Sequence, residues 1–115
     1  MEYTRAVLRN QFVAAIDMLR NAIAQCPDEL WDDRSSGAPF WHLAYHTLFY
    51  LDLYLSESEE AFQPASFHRE HSNFLRDMPF PPHVAATPAE AYARAELLEY
   101  LDCCRQKCFL VLVDL

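Results

Sequence analysis

Apolar residues in the first quarter of the chain fall on one helical stripe. Leu8, Phe12, Ile16, Leu19, Ile23 and Cys26 recur at spacings of 4, 4, 3, 4 and 3, the period of an amphipathic helix, and predict a helix over 4–25. Pro27 stops it, because the residue before a proline is pushed out of the α region; it also suits the opening of a short helical turn through Leu30 and Trp31, with Trp31 capping one end of the core. The polar stretch DDRSSGAP at 32–39 holds the only glycine, Gly37, and reads as a loop. Pro39 at its end suits the first turn of a following helix, where its missing N–H costs nothing.

The pattern then changes from a stripe to an almost continuous apolar block, FWHLAYHTLFYLDLYL at 40–55, interrupted by His42, His46, Thr47 and Asp52. Most of the circumference of such a helix has to be buried. A membrane span needs about 20 predominantly apolar residues; this run is shorter, carries two histidines and an aspartate, and is followed by Ser56, Glu57, Ser58, Glu59 and Glu60. It predicts the central helix of a helical bundle, ending near Ser56. The short connection before it sets it antiparallel to the first helix. His42, His46, Phe49 and Leu53 share one face, since residues three and four apart are neighbours on a helix. Two imidazoles one turn apart are either hydrogen-bonded core residues or the start of a metal site.

Over 57–86 the periodicity dissolves. Five of the seven prolines lie between residues 64 and 88, mixed with Phe62, Phe67, Phe74 and Phe80. So long a segment without regular structure is a functional loop or a lid in a compact domain, and its aromatic content speaks against disorder; it is expected to cross an open end or side of the bundle. The sequence FHREH, with His68 and His71, and the more distant His83 read as loop histidines, because nothing in the spacing fixes their mutual geometry. Regular structure is expected to resume at 87–90, where Thr87, Pro88 and Glu90 spell an N-cap, a first-turn proline and the acid of a capping box. From there Leu97, Leu101, Cys104, Cys108, Val111 and Leu115 recur at spacings of 4, 3, 4, 3 and 4, predicting a third helix from Pro88 to the end. Its closing CFLVLVDL, apolar and without a glycine stop, points to a continuation of the polypeptide or to cover by another chain.

Composition narrows the class. A single domain over 1–115 fits the length, and 52% hydrophobic residues with one glycine favour an all-α fold over a turn-rich sheet. Nine basic against seventeen acidic residues give a formal net charge of −8 with no local basic cluster, which disfavours nucleic acid as a partner. The amino terminus begins its amphipathic pattern at once and has no apolar segment of the signal-peptide kind, so a cytoplasmic location is expected, with Cys26, Cys103, Cys104 and Cys108 as thiols. Cys104 and Cys108 are one turn apart on the predicted third helix, and packing as small hydrophobes is the simpler role for them.

The first amphipathic helix, the segment CPDELWDDRSSGAPFWHLAYHTLFYLDLYLS, the stretch FQPASFH and the helix TPAEAYARAELLEYLDCCRQK together resemble the DinB/YfiT-like superfamily of four-helix bundles, over nearly the whole chain. WHLAYHTLFYLDLYL looks like that family's second helix, where a histidine begins a metal site. The resemblance implies a DinB-like up-down bundle, three helices of which are present here, with a long crossover between the second and third. Members of the family commonly bind nickel or zinc through three histidines. By position His42 matches the first ligand, with His46 as the close alternative; the other two lie on a fourth helix and have no counterpart here, since no histidine follows His83.

Two functions follow. By resemblance, the full-length protein is a divalent-metal-dependent enzyme acting on a small molecule, a transferase that activates a low-molecular-weight thiol or a hydrolase using metal-bound water. His42 would then be a ligand, His46 a ligand or a group that orients one, Tyr45 or Asp52 at most such an orienting partner, and Phe67 and Phe74 the pocket lining. Alternatively the chain is a non-catalytic bundle that forms a homodimer through the face a further helix would cover.

Overall fold

The computed structural model describes residues 2–69, 72–75 and 87–113. Among them the chain forms four α-helices and no strand: α1 (Glu2–Gln25), the single turn α2 (Asp28–Trp31), α3 (Phe40–Tyr54) and α4 (Arg94–Val113). The fold is all-α, and none of these helices is long and apolar enough to cross a membrane.

α1 ends where Pro27 dictates, and the chain turns through α2 into the 32–39 loop. Gly37 adopts φ 115° there, in the region that side chains bearing a Cβ avoid, and its N–H closes a turn on the Arg34 carbonyl at 3.3 Å. Pro39 lies one residue outside the first turn where it was expected. With ψ 163° it is extended, and its carbonyl accepts from the N–H groups of His42 and Leu43 at 3.0 and 3.2 Å.

Ion pairs set the helix directions. Asp28 pairs with Arg94 at 2.8 Å, Arg20 with Asp102 at 3.4 Å and Asp17 with Arg105 at 3.3 Å, so α1 and α4 run antiparallel. α3 runs with α4: Trp41 packs edge-on to Tyr92, the Leu48 carbonyl meets Cys104, and Asp52 and Ser56 meet Lys107. Consequently α3 opposes α1, as the short connection predicts. Parallel neighbours need a crossover connection, and this is the role of the segment between α3 and α4.

α4 begins at Arg94, six residues later than the expected start at Pro88. The carbonyls that a helix over 88–93 would use are taken by tertiary donors: Arg34 Nη2 reaches those of Pro88 and Ala89 at 2.7 and 3.2 Å, Arg69 that of Glu90, and Trp31 Nε1 that of Tyr92 at 2.9 Å. The capping chemistry is moved along the chain, with the Ala93 N–H donating to Glu96 Oε1 at 2.9 Å, the acidic half of a capping box. Thr87 is left for a different task.

The core lies where α3 meets α4 and the C-terminal half of α1. Trp41, Tyr45, Leu48, Tyr92, Leu97, Leu101 and Ile23 are sealed from solvent, together with the thiols of Cys104 and Cys108. Tyr45 and Tyr92 sit with ring centroids 4.5 Å apart. Phe62 and Phe67 from the crossing segment pack edge-on to Phe49 and Tyr92.

Candidate functional site

Two polar constellations interrupt this core, both on α3 and two to three turns apart. The first holds the predicted ligands. His42 is fully buried. Its Nε2 lies 2.7 Å from the Ser72 carbonyl oxygen and its Nδ1 lies 2.8 Å from Thr87 Oγ1. A carbonyl only accepts, so the proton sits on Nε2 and Nδ1 receives the threonine hydroxyl. Burial holds the imidazole below its ordinary pKa, against the opposing effect of the Ser72 carbonyl, so the neutral ring is the stable form.

His46, one turn on, donates from Nδ1 to the Asn73 carbonyl at 2.7 Å. In the neutral ring Nε2 then carries the lone pair, and no polar atom of the described residues meets it. Between the two rings Tyr45 bonds His68 through its hydroxyl. Ser72, also buried, joins Tyr92 Oη at 2.9 Å and the Arg69 carbonyl at 2.7 Å. The helix face that gathers His42, Tyr45 and His46 thus fastens the crossing segment at residues 68, 72, 73 and 87. His71 and His83 lie outside the described residues.

Among the described residues no three His, Cys, Asp or Glu side chains gather as a metal-holding group. For a divalent metal the arrangement is half suited. A ligating histidine usually donates its second N–H to a carbonyl, which both rings do, yet among the described residues only His46 keeps its other nitrogen open. His42 would have to release Thr87, and two imidazoles fall short of the three protein ligands a catalytic zinc takes.

The second constellation was not foreseen from the sequence. Asp52, largely enclosed, receives Lys107 Nζ on Oδ1 at 2.6 Å and Tyr100 Oη on Oδ2 at 2.8 Å. Lys107 Nζ also donates to the Asp52 carbonyl at 3.0 Å and to Ser56 Oγ at 2.8 Å. Burial and the nearby carboxylate push the Tyr100 phenol far up, and burial and the same carboxylate push the Cys104 thiol up to about 12. Beside this cluster a cavity of about 480 Å³ opens between α4 and residues 63–67 of the crossing segment, with Phe67 and Tyr100 among its walls. Phe67, expected to line a pocket at the histidines, lines this cavity beside Asp52; Phe74 is 40% exposed. Asp52 was placed beside the histidines and instead belongs to this cluster. The available signal was Asp52, Tyr100 and Lys107 as polar residues on otherwise apolar helix faces, but their pairing depends on the parallel docking of α3 on α4.

Compared with known protein families, with curated proteins and with solved structures, the chain matches none.

Proposed function

We propose that the chain is a DinB-like helical-bundle domain that acts as an association module, forming a homodimer through the open face of α1 and α4. The observation that carries this reading is the fate of the first apolar stripe. Ile16 and Ile23 are buried, whereas Leu8 and Phe12, on the same stripe, remain 39% and 40% exposed. The antiparallel register fixed by Asp17 and Arg105 brings Phe12 level with Phe109 of α4, which lies against Arg105 and is 36% exposed. Two antiparallel helices with a shared apolar seam meet their counterparts about a two-fold axis as a four-helix bundle, the closed arrangement most favoured for identical chains.

A second reading, a divalent-metal-dependent transferase or hydrolase, is favoured by one feature: among the described residues nothing engages His46 Nε2, while its Nδ1–H is fixed by a carbonyl, the orientation of a ligating imidazole. Further ligands would have to come from outside the described residues.

Light scattering on the eluting, untagged protein separates these readings when combined with elemental analysis. The association reading predicts a particle of twice 13.4 kDa that reverts to monomer on Phe12→Glu with Phe109→Glu, and no bound metal. A monomeric wild-type chain carrying near-stoichiometric nickel or zinc, lost on His46→Ala, would replace it with the metal reading.

A further inference from the structure

We infer that the cavity between α4 and residues 63–67 is a binding site for a small organic ammonium ion bearing an apolar or aromatic group. The inference is independent of the association reading and starts from an inventory of polar groups. Among the described residues Lys107 is the only cation lining the cavity, and its three N–H donors already meet Asp52 Oδ1, the Asp52 carbonyl and Ser56 Oγ. Both oxygens of Asp52 are engaged in turn, by Lys107 and Tyr100. This pair is a closed unit that presents neither a free positive charge nor a free carboxylate.

The remaining charged groups on the wall are Glu96 and Glu99, one turn apart on α4. Glu96 has one oxygen on the Ala93 N–H, and Glu99 is exposed at the rim and makes no hydrogen bond among the described residues. An anion entering here would meet two carboxylates and no available donor of positive charge; a cation would meet two acceptors.

The apolar wall suits the same ligand. Phe67 and Tyr100 both line the cavity and pack edge to face, with centroids 5.7 Å apart and planes at 89°; Tyr100 is 6% exposed, so the half-buried Phe67 is the ring a bound group would meet. Ring faces attract ammonium ions, and cations already lie over neighbouring rings of this molecule, Arg69 over Tyr92 at 4.5 Å and Lys107 over Phe62 at 5.9 Å. Gln63 and Ser66 supply further oxygen acceptors at the opposite rim. Three features therefore coincide in one half-open cavity: a volume sufficient for a small molecule, aromatic walls, and residual charge of one sign.

The test uses three probes of similar shape and different charge, benzylammonium, benzyl alcohol and phenylacetate, each titrated into the full chain and followed by amide chemical shifts. Saturable shifts for benzylammonium, confined to residues 63–67 and 96–107, are expected. Benzyl alcohol should bind at least about fivefold more weakly and phenylacetate not at all. Glu99→Gln, a change at an exposed position that leaves the fold intact by circular dichroism, should weaken the ammonium probe about threefold. The inference is overturned if phenylacetate or benzyl alcohol binds as well as benzylammonium. It is equally overturned if the ammonium shifts are absent at millimolar probe, or scatter over the acidic surface with no response to Glu99→Gln.

Discussion

The two ends of α3 use polar side chains in opposite ways. At its start His42 and His46 reach backbone carbonyls of a segment without regular structure, at Ser72 and Asn73. At its end Asp52 reaches side chains of a helix, Tyr100 and Lys107. Carbonyls of an irregular segment have no ladder partners of their own, so a buried donor there both satisfies them and fixes the path of the chain. The helix-to-helix cluster serves the main chain at one point, the Asp52 carbonyl in the last turn of α3, which Lys107 and Ser56 both reach; α4 satisfies its own backbone. The cluster fixes the register of α4 against α3, and the crossing segment, held at residues 68 and 72, leaves a cavity beside it. The histidine end is closed by its hydrogen bonds and the aspartate end is left open beside them.

The largest expected effect comes from the closed end. His42→Ala removes a fully enclosed ring and both of its hydrogen bonds, leaving the Ser72 carbonyl and the Thr87 hydroxyl unpaired. A loss of about 3 kcal/mol in urea-induced unfolding is expected. A loss below about 1 kcal/mol would mean that the crossing segment does not depend on this latch, and the contrast between the two ends would disappear.

Asp52→Ala should cost less, about 2 kcal/mol, although it removes a carboxylate with two partners. The Lys107 side chain is 34% exposed, so its ammonium turns to water when the partner is lost, and the penalty for a stranded buried charge is reduced. The comparison is sharpened by Asp52→Leu combined with Lys107→Met. Replacing a paired charge by apolar groups is often near neutral, so this double variant should recover most of the stability lost by Asp52→Ala. The Asp52 carbonyl keeps the Ser56 hydroxyl at 3.0 Å when Lys107 is replaced. No double replacement at His42 would do the same, because the Ser72 main-chain carbonyl loses the imidazole donor and cannot itself be substituted away.

How much of this was legible follows from the range of each interaction. The periodicity of Ile16, Leu19 and Ile23, the break at Pro27 and the apolar block from Phe40 are local, and α1, α2 and α3 stand where those patterns put them. The start of α4 was misplaced because Thr87, Pro88 and Glu90 form a valid local signal that tertiary donors override: Arg34, Arg69 and Trp31 take the carbonyls a first turn would need. His42 and His46 were identifiable as a pair on one face, but their carbonyl partners lie 27 to 30 residues away in a stretch with no periodicity. The Asp52, Tyr100 and Lys107 cluster was illegible for a related reason. Its members are separated by up to 55 residues, and no spacing rule links residues on two helices whose relative direction depends on the crossover.

The pH dependence offers a smaller test of the closed end. His42 is held below its ordinary pKa of 6.5 by burial, so at mildly acidic pH the unfolded chain binds a proton that the folded chain refuses. Stability from the neutral ring is fully present above 6.5 and is lost as pH falls from there through the depressed folded value. Chemical denaturation across that window should show this slope, and His42→Gln should flatten it. A slope unchanged in that variant would assign the dependence to other groups and leave the tautomer of His42 unsupported.

The smallest perturbation reads the open end without changing its stability. Cys103 is exposed at the cavity, while Cys104, next in sequence, is buried beneath it with its thiol raised to about 12 and its Sγ toward the Leu48 carbonyl. Thiolates and not thiols are the nucleophiles, so burial protects Cys104 twice, by blocking access and by keeping its proton. Brief treatment of the native protein with iodoacetamide at about pH 8 should therefore modify Cys103 and spare Cys104, as resolved by peptide mass spectrometry. Equal labelling of the two would require the crossing segment to lift from α4 on the timescale of the reagent. The aspartate end would then be a mobile seam between two elements and not a formed cavity, while the histidine latch one helix length away would be untouched by the result.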